Sequence, residues 1–287
     1  MKTEANDILT NENLRKLSVA EVKEIQLEIL SFFHEYCIRY GLRYYLSAGT
    51  LIGAVRHKGY IPWDDDIDVV MLREDYDRLL SQFNQTNTRY QIISNDLDYT
   101  CKYGYAKLVN SGTVFIEDPK YDLDKRIGIN IDIFPLENLG NDYQQAIKTV
   151  KKAEKYTWII DKKNCVLKHK TPLKTITLKL IKTVMKIFSY KWCFDGVRRI
   201  MNTRKNDNAS IYVGQITLFA KGENEILKRE WFSKQVDMEF EGRRFFAPIG
   251  YDEYLKRLFG DYMKLPPKEQ QVTHHVFQAY KYIDNEG

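Results

Sequence analysis

The chain has 287 residues, of which 44% are hydrophobic and 29% charged, and its formal net charge is +5. This composition is ordinary for a soluble globular protein, and the length allows a large buried core. No run of about eighteen uncharged apolar residues occurs, which argues against a segment that spans a bilayer. Residues 1–13 are polar and lack the apolar segment of a signal peptide, so we expect a cytoplasmic protein.

The cysteines point to the same compartment. The chain contains Cys37, Cys101, Cys165 and Cys193, which are far apart and form no paired motif. This spacing argues against a zinc site and against a disulfide scaffold, and it favours a reducing environment.

The predicted elements begin with a long helix at 18–40, where Ser18 and Glu21 form a capping-box pattern and Gly41 ends the helix. Apolar and aromatic runs predict strands near 43–47, 66–71, 90–94, 104–109, 113–117 and 129–134, with a helix near 74–83. Residues 141–205 are predicted to be helical and basic, followed by a strand near 236–241, a turn at Glu241-Gly242 and a helix near 252–259.

The most informative segment is 61–72, which reads Ile-Pro-Trp-Asp-Asp-Asp-Ile-Asp-Val-Val-Met-Leu. Alternate residues of a strand point to the same face, so Asp66 and Asp68 are expected to project together. Adjacent like charges on a hydrophobic sheet are costly unless a cation neutralises them, and a hard divalent cation leaves coordination sites open for phosphate. The segment therefore predicts a metal site for phosphate chemistry. A solvated acidic turn is the alternative, and Asp64 and Asp65 stay unassigned.

A turn of small residues precedes the acidic segment. Residues 47–50 read Ser-Ala-Gly-Thr and stand between a short aromatic strand pattern and an apolar helix pattern that ends at Gly59. The start of a helix exposes backbone N–H groups that suit phosphate oxygens. Arg56, His57 and Lys58 add cationic side chains between this turn and the acidic strand. A strand-to-helix turn without a ligand is the alternative.

This order of turn, short helix and Asp-x-Asp strand resembles the nucleotidyltransferase superfamily, in which a later strand carries a third carboxylate. Asp132 is the candidate, because apolar residues flank it within 128–136 as expected at the active edge of a buried strand. An aspartate bonded to a neighbouring loop is the alternative. Lys107, on the predicted strand 104–109, is a candidate phosphate contact or otherwise an exposed strand lysine.

The run 47–68 resembles the LicD family more closely. Those proteins are bacterial phosphocholine transferases related to the fukutin-type transferases of animals. Further matches are 132–136, Tyr254-Leu255, 258–263 and 265–267, and the resemblance runs from about residue 20 to the C-terminus. Residues 140–210 match only in general character.

The resemblance implies transfer of a phospho-alcohol from a CDP-linked donor, such as CDP-choline, to a hydroxyl of a cell-surface glycan or teichoic acid precursor, with release of CMP. It implies Asp66 and Asp68 as ligands of Mg²⁺ or Mn²⁺, and Asp132 as a further ligand or as the base for the acceptor hydroxyl. The residues assigned to donor phosphates are Ser47, Gly49 and Thr50, with Arg56, Lys58 and Lys107 as cationic contacts. Choline, ethanolamine, glycerol and ribitol all stay open as the alcohol.

The predicted fold class is α+β, with a nucleotidyltransferase-like mixed sheet flanked by helices, a basic helical insertion and a mainly helical C-terminal part. The expected units are a catalytic core at 1–140, a basic helical region at 141–210 and a C-terminal part at 211–287 that packs on the core.

The middle of the chain is strongly basic. From 151 to 205, sixteen Lys or Arg residues stand against three acids, a surplus of +13, whereas the remainder carries −8. Apolar residues between 173 and 188 fall on one helical face, and Lys174, Lys182 and Lys186 line another. The helix is expected either to lie on an anionic inner leaflet, near a lipid-linked acceptor, or to pack on the catalytic domain with a solvated lysine face. A nucleic-acid partner is disfavoured, because no motif of a known binding module occurs.

Two competing functions remain open. A glycosyltransferase would use the Asp-x-Asp to bind a metal on a nucleotide sugar, and a non-catalytic adaptor would keep only the fold. The turn at 47–50 and Asp132 favour the transferase. Near the C-terminus, His274-His275 and Leu265-Pro266-Pro267 are expected to have structural roles or to border the acceptor.

Overall fold

The computed structural model describes residues 13–83, 89–117, 127–164, 172–204, 207–216, 222–273 and 277–283. The α-helices in these ranges are α1 (Val19–Tyr40), α2 (Ala48–His57), α3 (Arg73–Gln82), α4 (Tyr143–Asn164), α5 (Pro172–Met185), α6 (Tyr190–Asn202) and α7 (Tyr251–Phe259). The strands are β1 (Leu14–Lys16), β2 (Tyr45–Leu46), β3 (Asp68–Leu72), β4 (Tyr90–Ile93), β5 (Ala106–Asn110), β6 (Thr113–Glu117), β7 (Asn130–Gly140), β8 (Tyr212–Gly214), β9 (Ile226–Lys228), β10 (Gln235–Phe240), β11 (Arg243–Pro248) and β12 (Phe277–Tyr282).

The largest sheet has the strand order β2-β3-β7-β5-β4, and β8 and β9 extend it from the far end of β7. Strands β3 and β7 run parallel, whereas the other pairs in this sheet are antiparallel. The apolar side chains of β3 and β7 are fully buried, as expected for central strands covered on both faces. The predicted α+β class, a mixed sheet flanked by helices, is confirmed.

Strand bounds depart from the prediction at two places that concern the site. Strand β3 begins at Asp68, so Asp66 lies in the irregular segment that leads into it and not on the strand. Strand β7 extends to Gly140, beyond the predicted end at 134, because Pro135 and its successors continue the pairing first with β3 and then with β8.

Helix α1 begins and ends as its sequence predicts. The Ser18 side chain accepts a hydrogen bond from the Glu21 N–H, and Glu21 accepts one from the Ser18 N–H. The hydrogen bond from the Ser18 N–H to the Glu21 carboxylate, followed by those from the Arg15 guanidinium and the Ser18 hydroxyl, lowers the pKa of Glu21 to about 2. Gly41 ends the helix with a left-handed φ of 60°.

The described part of the basic segment is mostly helical, in α4, α5 and α6, with a turn at 186–189 between the last two helices. Helix α6 docks on the segment that leads into β5: a methyl group on Gly104 would lie 2.6 Å from the Phe194 ring, and Arg198 donates to the Asn95 carbonyl oxygen at 3.0 Å. The helical region therefore rests on the chain just ahead of Lys107. None of the described helices is long and apolar enough to cross a bilayer. The described cysteines, Cys37, Cys101 and Cys193, form no disulfide bond.

The prediction of a mainly helical C-terminal part is wrong. After residue 211 the described chain contains five strands, one α-helix and three short 3₁₀ helices, Gly222–Glu225, Arg229–Phe232 and Lys268–Gln270. The predicted strand near 236–241, the turn at Glu241-Gly242 and the helix near 252–259 are confirmed. Strands β8 and β12 were missed because their partners are distant in sequence: β12 pairs with β1 and β6, and β8 pairs with β7. Strand β11 was also missed, although it pairs with β10 directly across the predicted turn.

A buried ion pair joins α3 to the central strand β7. Arg73 donates two hydrogen bonds to Glu137, one of them from Nε to Oε2 at 2.9 Å, and both side chains are buried. The Glu137 carboxylate raises the pKa of Arg73 against the opposing effect of burial. The pair fixes the first turn of the helix that follows β3.

Replacing Glu137 by Gln removes the buried counter-charge of Arg73 and leaves only the half-buried carboxylates of Asp77, at 3.2 Å, and Asp96, at 3.8 Å. We expect the free energy of unfolding to fall by about 3 kcal/mol, the usual cost of breaking a buried pair from one side. Urea denaturation measures it. Glu230→Gln, at the exposed pair that Lys228 and Glu230 form at 3.2 Å, is the matched control and should leave the midpoint unchanged. Equal midpoints for both variants would contradict this account.

Candidate functional site

The registers of three neighbouring strands place charged residues side by side at one edge of the sheet. Asp68 on β3 pairs with Asp132 on β7, and Asp132 pairs in turn with Lys107 on β5. The Lys107 Nζ lies 2.6 Å from Asp132 Oδ1 and 3.1 Å from the side-chain oxygen of Asn130. The predicted exposed-lysine alternative is wrong, because Lys107 is buried and its ammonium bonds to Asp132.

The acidic segment ahead of β3 adds three carboxylates. One oxygen from each of Asp64, Asp65 and Asp66 lies within 4.8 Å of the others, an arrangement that can hold a metal ion. Gln26 on α1 donates to the main-chain oxygen of Asp65 at 3.0 Å, and Asp65 is buried. The solvated-turn alternative therefore does not describe Asp65, and the tightest group includes Asp64 and Asp65, which the sequence left unassigned.

The electrostatics show how closely these groups act on one another. The pKa of Asp68 is raised well above its ordinary value, first by burial and then by the negative charges of Asp66, Asp132 and Asp64. Lys107 acts in the opposite direction. Negative charge is therefore in excess here, and the charges of Asp66 and Asp132 both act on Asp68.

Helix α2 begins directly beside the first residue of β3. Asp68 donates its N–H to Thr50 Oγ1 at 2.8 Å, and its carbonyl oxygen accepts from the Ser47 N–H at 3.0 Å. The predicted turn and the predicted carboxylates are thus bonded through the backbone. Ser47 and Thr50 are also buried, so one function of both side chains is to hold the turn against β3.

Tyr254 completes this turn and was not identified as a site residue from the sequence. Its hydroxyl lies 2.6 Å from Ser47 Oγ and also accepts from the Ala48 N–H. Ala48 has a φ of 44°, a left-handed conformation that a residue with a side chain rarely adopts and that is concentrated at functional sites. The match at Tyr254-Leu255 was the signal that could have found it.

Gly49 permits the close approach of Asp64 to the first turn of α2. A methyl group on Gly49 would lie 2.3 Å from Asp64 Oδ2, so a larger residue would push this carboxylate away. A helix N-terminus favours negative charge. The Asp64 carboxylate is therefore the negative group beside the start of α2. The sequence had predicted that a phosphate of the donor binds at this position.

Arg56 and Lys58 lie at the other end of α2. Arg56 donates to the Tyr262 carbonyl oxygen at 2.7 Å and to the His57 ring at 2.9 Å, and burial lowers its pKa. Lys58 ends the helix with a φ of 61° and is exposed, and its carbonyl oxygen accepts from the Glu241 N–H. These contacts connect the helix end to the C-terminal part of the chain.

Two tyrosines and an asparagine also surround Lys107. The Lys107 Nζ lies 4.8 Å from the ring centre of Tyr103 and 5.5 Å from that of Tyr105, so both rings contribute cation–π attraction. Asn130 and both tyrosines were missed. The alternation of Tyr105 with Lys107 and of Asn130 with Asp132 along two predicted strands was a usable signal, whereas Tyr103 lies ahead of the predicted strand 104–109. His274-His275 lie outside the described residues.

With this geometry in view, comparisons with known proteins identify the class of protein. Residues 41–181 match the family described as LicD/FKTN/FKRP, nucleotidyltransferase domain. The chain is 32% identical to "Lipopolysaccharide cholinephosphotransferase LicD" of Haemophilus influenzae, over 93% of this chain and 99% of that protein. A 35-residue segment is 51% identical to "Ribitol 5-phosphate transferase FKRP" of mouse and of human, covering 12% of this chain and 7% of those proteins.

The chain belongs to the LicD family. The resemblance seen in the sequence is therefore confirmed over almost the whole chain. All the predicted site residues lie within the matched range 41–181, whereas Tyr254 lies beyond it.

Removing the Lys107 charge tests the electrostatic account of the site. In Lys107→Met the carboxylate of Asp132 loses its buried partner and faces only like charges, so we expect the free energy of unfolding to fall by about 3 kcal/mol without divalent cation. Urea denaturation with a chelator present measures it. Lys281→Met, which replaces an exposed strand lysine, should have no measurable effect. A Lys107→Met protein as stable as the control would contradict the assignment.

Proposed function

We propose that the protein transfers phosphocholine, or a related phospho-alcohol, from a CDP-activated donor to a hydroxyl of a cell-surface glycan or teichoic acid precursor and releases CMP. The observation that carries the proposal is the row formed by Asp68, Asp132 and Lys107, beside the acidic segment and the start of α2. The chain is similar, over almost its whole length, to a protein described as a lipopolysaccharide cholinephosphotransferase, and this similarity supports the proposed class of substrate.

The donor set fits a hard divalent cation, Mg²⁺ or Mn²⁺. The groups that converge here are carboxylates, the oxygen ligands that such cations prefer. Among the described residues, this group contains aspartates and includes no cysteine or histidine. We assign Asp66 and Asp68 as its ligands, with Asp132 as a further candidate. When bound, the cation would neutralise phosphoryl oxygens on which negative charge develops.

Asp132 has two possible roles, and Lys107 bears on both. Lys107 already donates to Oδ1, which orients the carboxylate and leaves Oδ2 to face a ligand. That oxygen can either complete the cation site or accept the proton of the acceptor hydroxyl. In either role Lys107 positions Asp132, and it also adds the positive charge that the sequence assigned to donor phosphate.

The start of α2 is the proposed donor-phosphate site. Ser47, Gly49 and Thr50 hold its backbone N–H groups beside β3, where a phosphate oxygen is favoured. Asp64 occupies this position in the structure, so a donor phosphate that binds there displaces the Asp64 carboxylate. Arg56 and Lys58 are proposed as charge partners from the opposite end of the helix.

In this proposal residues 1–140 form a nucleotidyltransferase-like core, 141–210 a basic helical insertion and 211–287 a part that packs on the core. The reaction takes place in the cytoplasm. The acceptor is a glycan or a lipid-linked glycan, and no nucleic acid takes part.

A donor screen by ³¹P NMR tests the proposal. With Mg²⁺ and a glycan acceptor present, CDP-choline, CDP-ethanolamine, CDP-glycerol, CDP-ribitol and a UDP-sugar are offered in turn. We expect CMP from one CDP-alcohol, and a loss of at least about a hundredfold in rate in Asp68→Asn, since removing a group that stabilises transition-state charge costs on this order. Asp237→Asn, at an exposed position of β10, is the matched control and should keep full activity.

The other outcomes separate the alternatives. Release of UDP in place of CMP would assign the chain to glycosyl transfer. Binding of the donors without turnover in any combination would favour the adaptor. Full activity in a folded Asp68→Asn protein would contradict the site even if CMP were released.

A further inference from the structure

Helix α5 carries two apolar faces, and only one of them packs on the protein. Leu178, Ile181 and Met185 are half-buried and lie on one side of the helix. Ile176, Leu180 and Val184 follow one another at four-residue spacing on the other side, and each is at least 50% exposed. The first face therefore packs on the rest of the protein. The apolar side chains of the second face have no such packing role.

The exposed face continues past the end of the helix. Ile187 is 80% exposed, the highest fraction among the exposed large apolar residues of the described chain. The Phe188 ring lies 5.0 Å from that of Trp192, which is itself exposed at the start of α6. Aliphatic side chains with this tryptophan beside them form a surface suited to the boundary between headgroups and acyl chains.

Basic residues border this surface. Lys179 and Lys186 are exposed on the flank of the same helix, and the segment 151–205 carries a surplus of +13. A second copy of the chain, docked symmetrically, would bring two such surpluses together and be repelled. An anionic lipid headgroup layer is attracted instead, by about 1 kcal/mol for each basic residue near the surface.

We propose that the exposed face of α5, defined by Ile176, Leu180, Val184 and Ile187, docks on the surface of an anionic phospholipid bilayer. The helix lies in the interface plane, with these side chains among the acyl chains and Lys179 and Lys186 at the phosphates. The described helices do not cross the bilayer, so the contact is interfacial. The inference rests on α5 and its neighbours and is independent of the transfer chemistry.

Co-sedimentation with vesicles of pure phosphatidylcholine, and of phosphatidylcholine with phosphatidylglycerol, tests the proposal. We expect at least about tenfold stronger binding to the anionic vesicles, and a fall of similar size when the salt is raised to a Debye length of a few ångströms. Equal binding to neutral and anionic vesicles, or binding that ignores salt, would overturn it.

Two pairs of variants separate apolar from electrostatic contributions. Leu180→Ser with Ile187→Ser should weaken anionic-vesicle binding by about a hundredfold, because two buried apolar side chains are lost. Lys179→Gln with Lys186→Gln should weaken it by about thirtyfold and flatten its salt dependence. The matched controls replace exposed residues elsewhere, Ile249→Ser with Val272→Ser and Lys234→Gln with Lys268→Gln, and should bind as the unmodified protein does.

Sedimentation equilibrium tests whether a second copy of the chain covers this face instead. A protein that stays monomeric without vesicles supports the proposal. A dimer that Leu180→Ser with Ile187→Ser converts to monomer, in a protein that does not bind vesicles, would overturn it in favour of a second copy. The variants are at solvent-exposed positions, so circular dichroism should show native folding in each.

Discussion

The parallel pairing of β3 with β7 is the constraint on which the rest of the site depends. It sets Asp68 beside Asp132, and the antiparallel neighbour β5 then brings Lys107 onto the same row. The charged groups of Asp68, Asp132 and Lys107 are buried or half-buried in this row. Their burial is tolerated because the central residue, Asp132, accepts a hydrogen bond from the Lys107 ammonium. The apolar residues that follow on β3 and β7 fill the core and hold this row in place. The stability of the fold and the chemistry of the site therefore rest on the same pairing.

Around this row, the backbone connects elements that are far apart in sequence. Helix α2 is bonded to β3 through Ser47 and Thr50, and Tyr254 from the C-terminal part holds the helix start. Asp64 reaches the same helix start because Gly49 has no side chain. The site is thus rigid on the sheet side, whereas the acidic segment 64–66 lies in irregular structure.

Local patterns in the sequence were sufficient for much of this. The capping box of α1, the presence of the strands that carry Lys107 and Asp132, and the α+β class were predicted correctly. Residues 48–50, predicted as part of a turn, form the first turn of α2. The start of β3 was placed two residues too early, because an alternating pattern does not show where ladder pairing begins. The C-terminal part, 211–287, was predicted to be mainly helical. Strands β8 and β12 were missed because each pairs with strands that are far away in the sequence. The ion pair of Lys107 with Asp132 was missed for the same reason: it exists only through strand register.

We propose that this carboxylate group holds one divalent cation, and Mn²⁺ binding followed by electron paramagnetic resonance, without donor or acceptor, measures it. We expect one Mn²⁺ per chain, an affinity about tenfold or more weaker in Asp66→Asn and Asp68→Asn, and unchanged affinity in Asp237→Asn. We also expect tighter binding in Lys107→Met, because a competing positive charge is removed. Equal Mn²⁺ binding in the unmodified, Asp66→Asn and Asp68→Asn proteins, all shown to be folded, would contradict the proposed cation site.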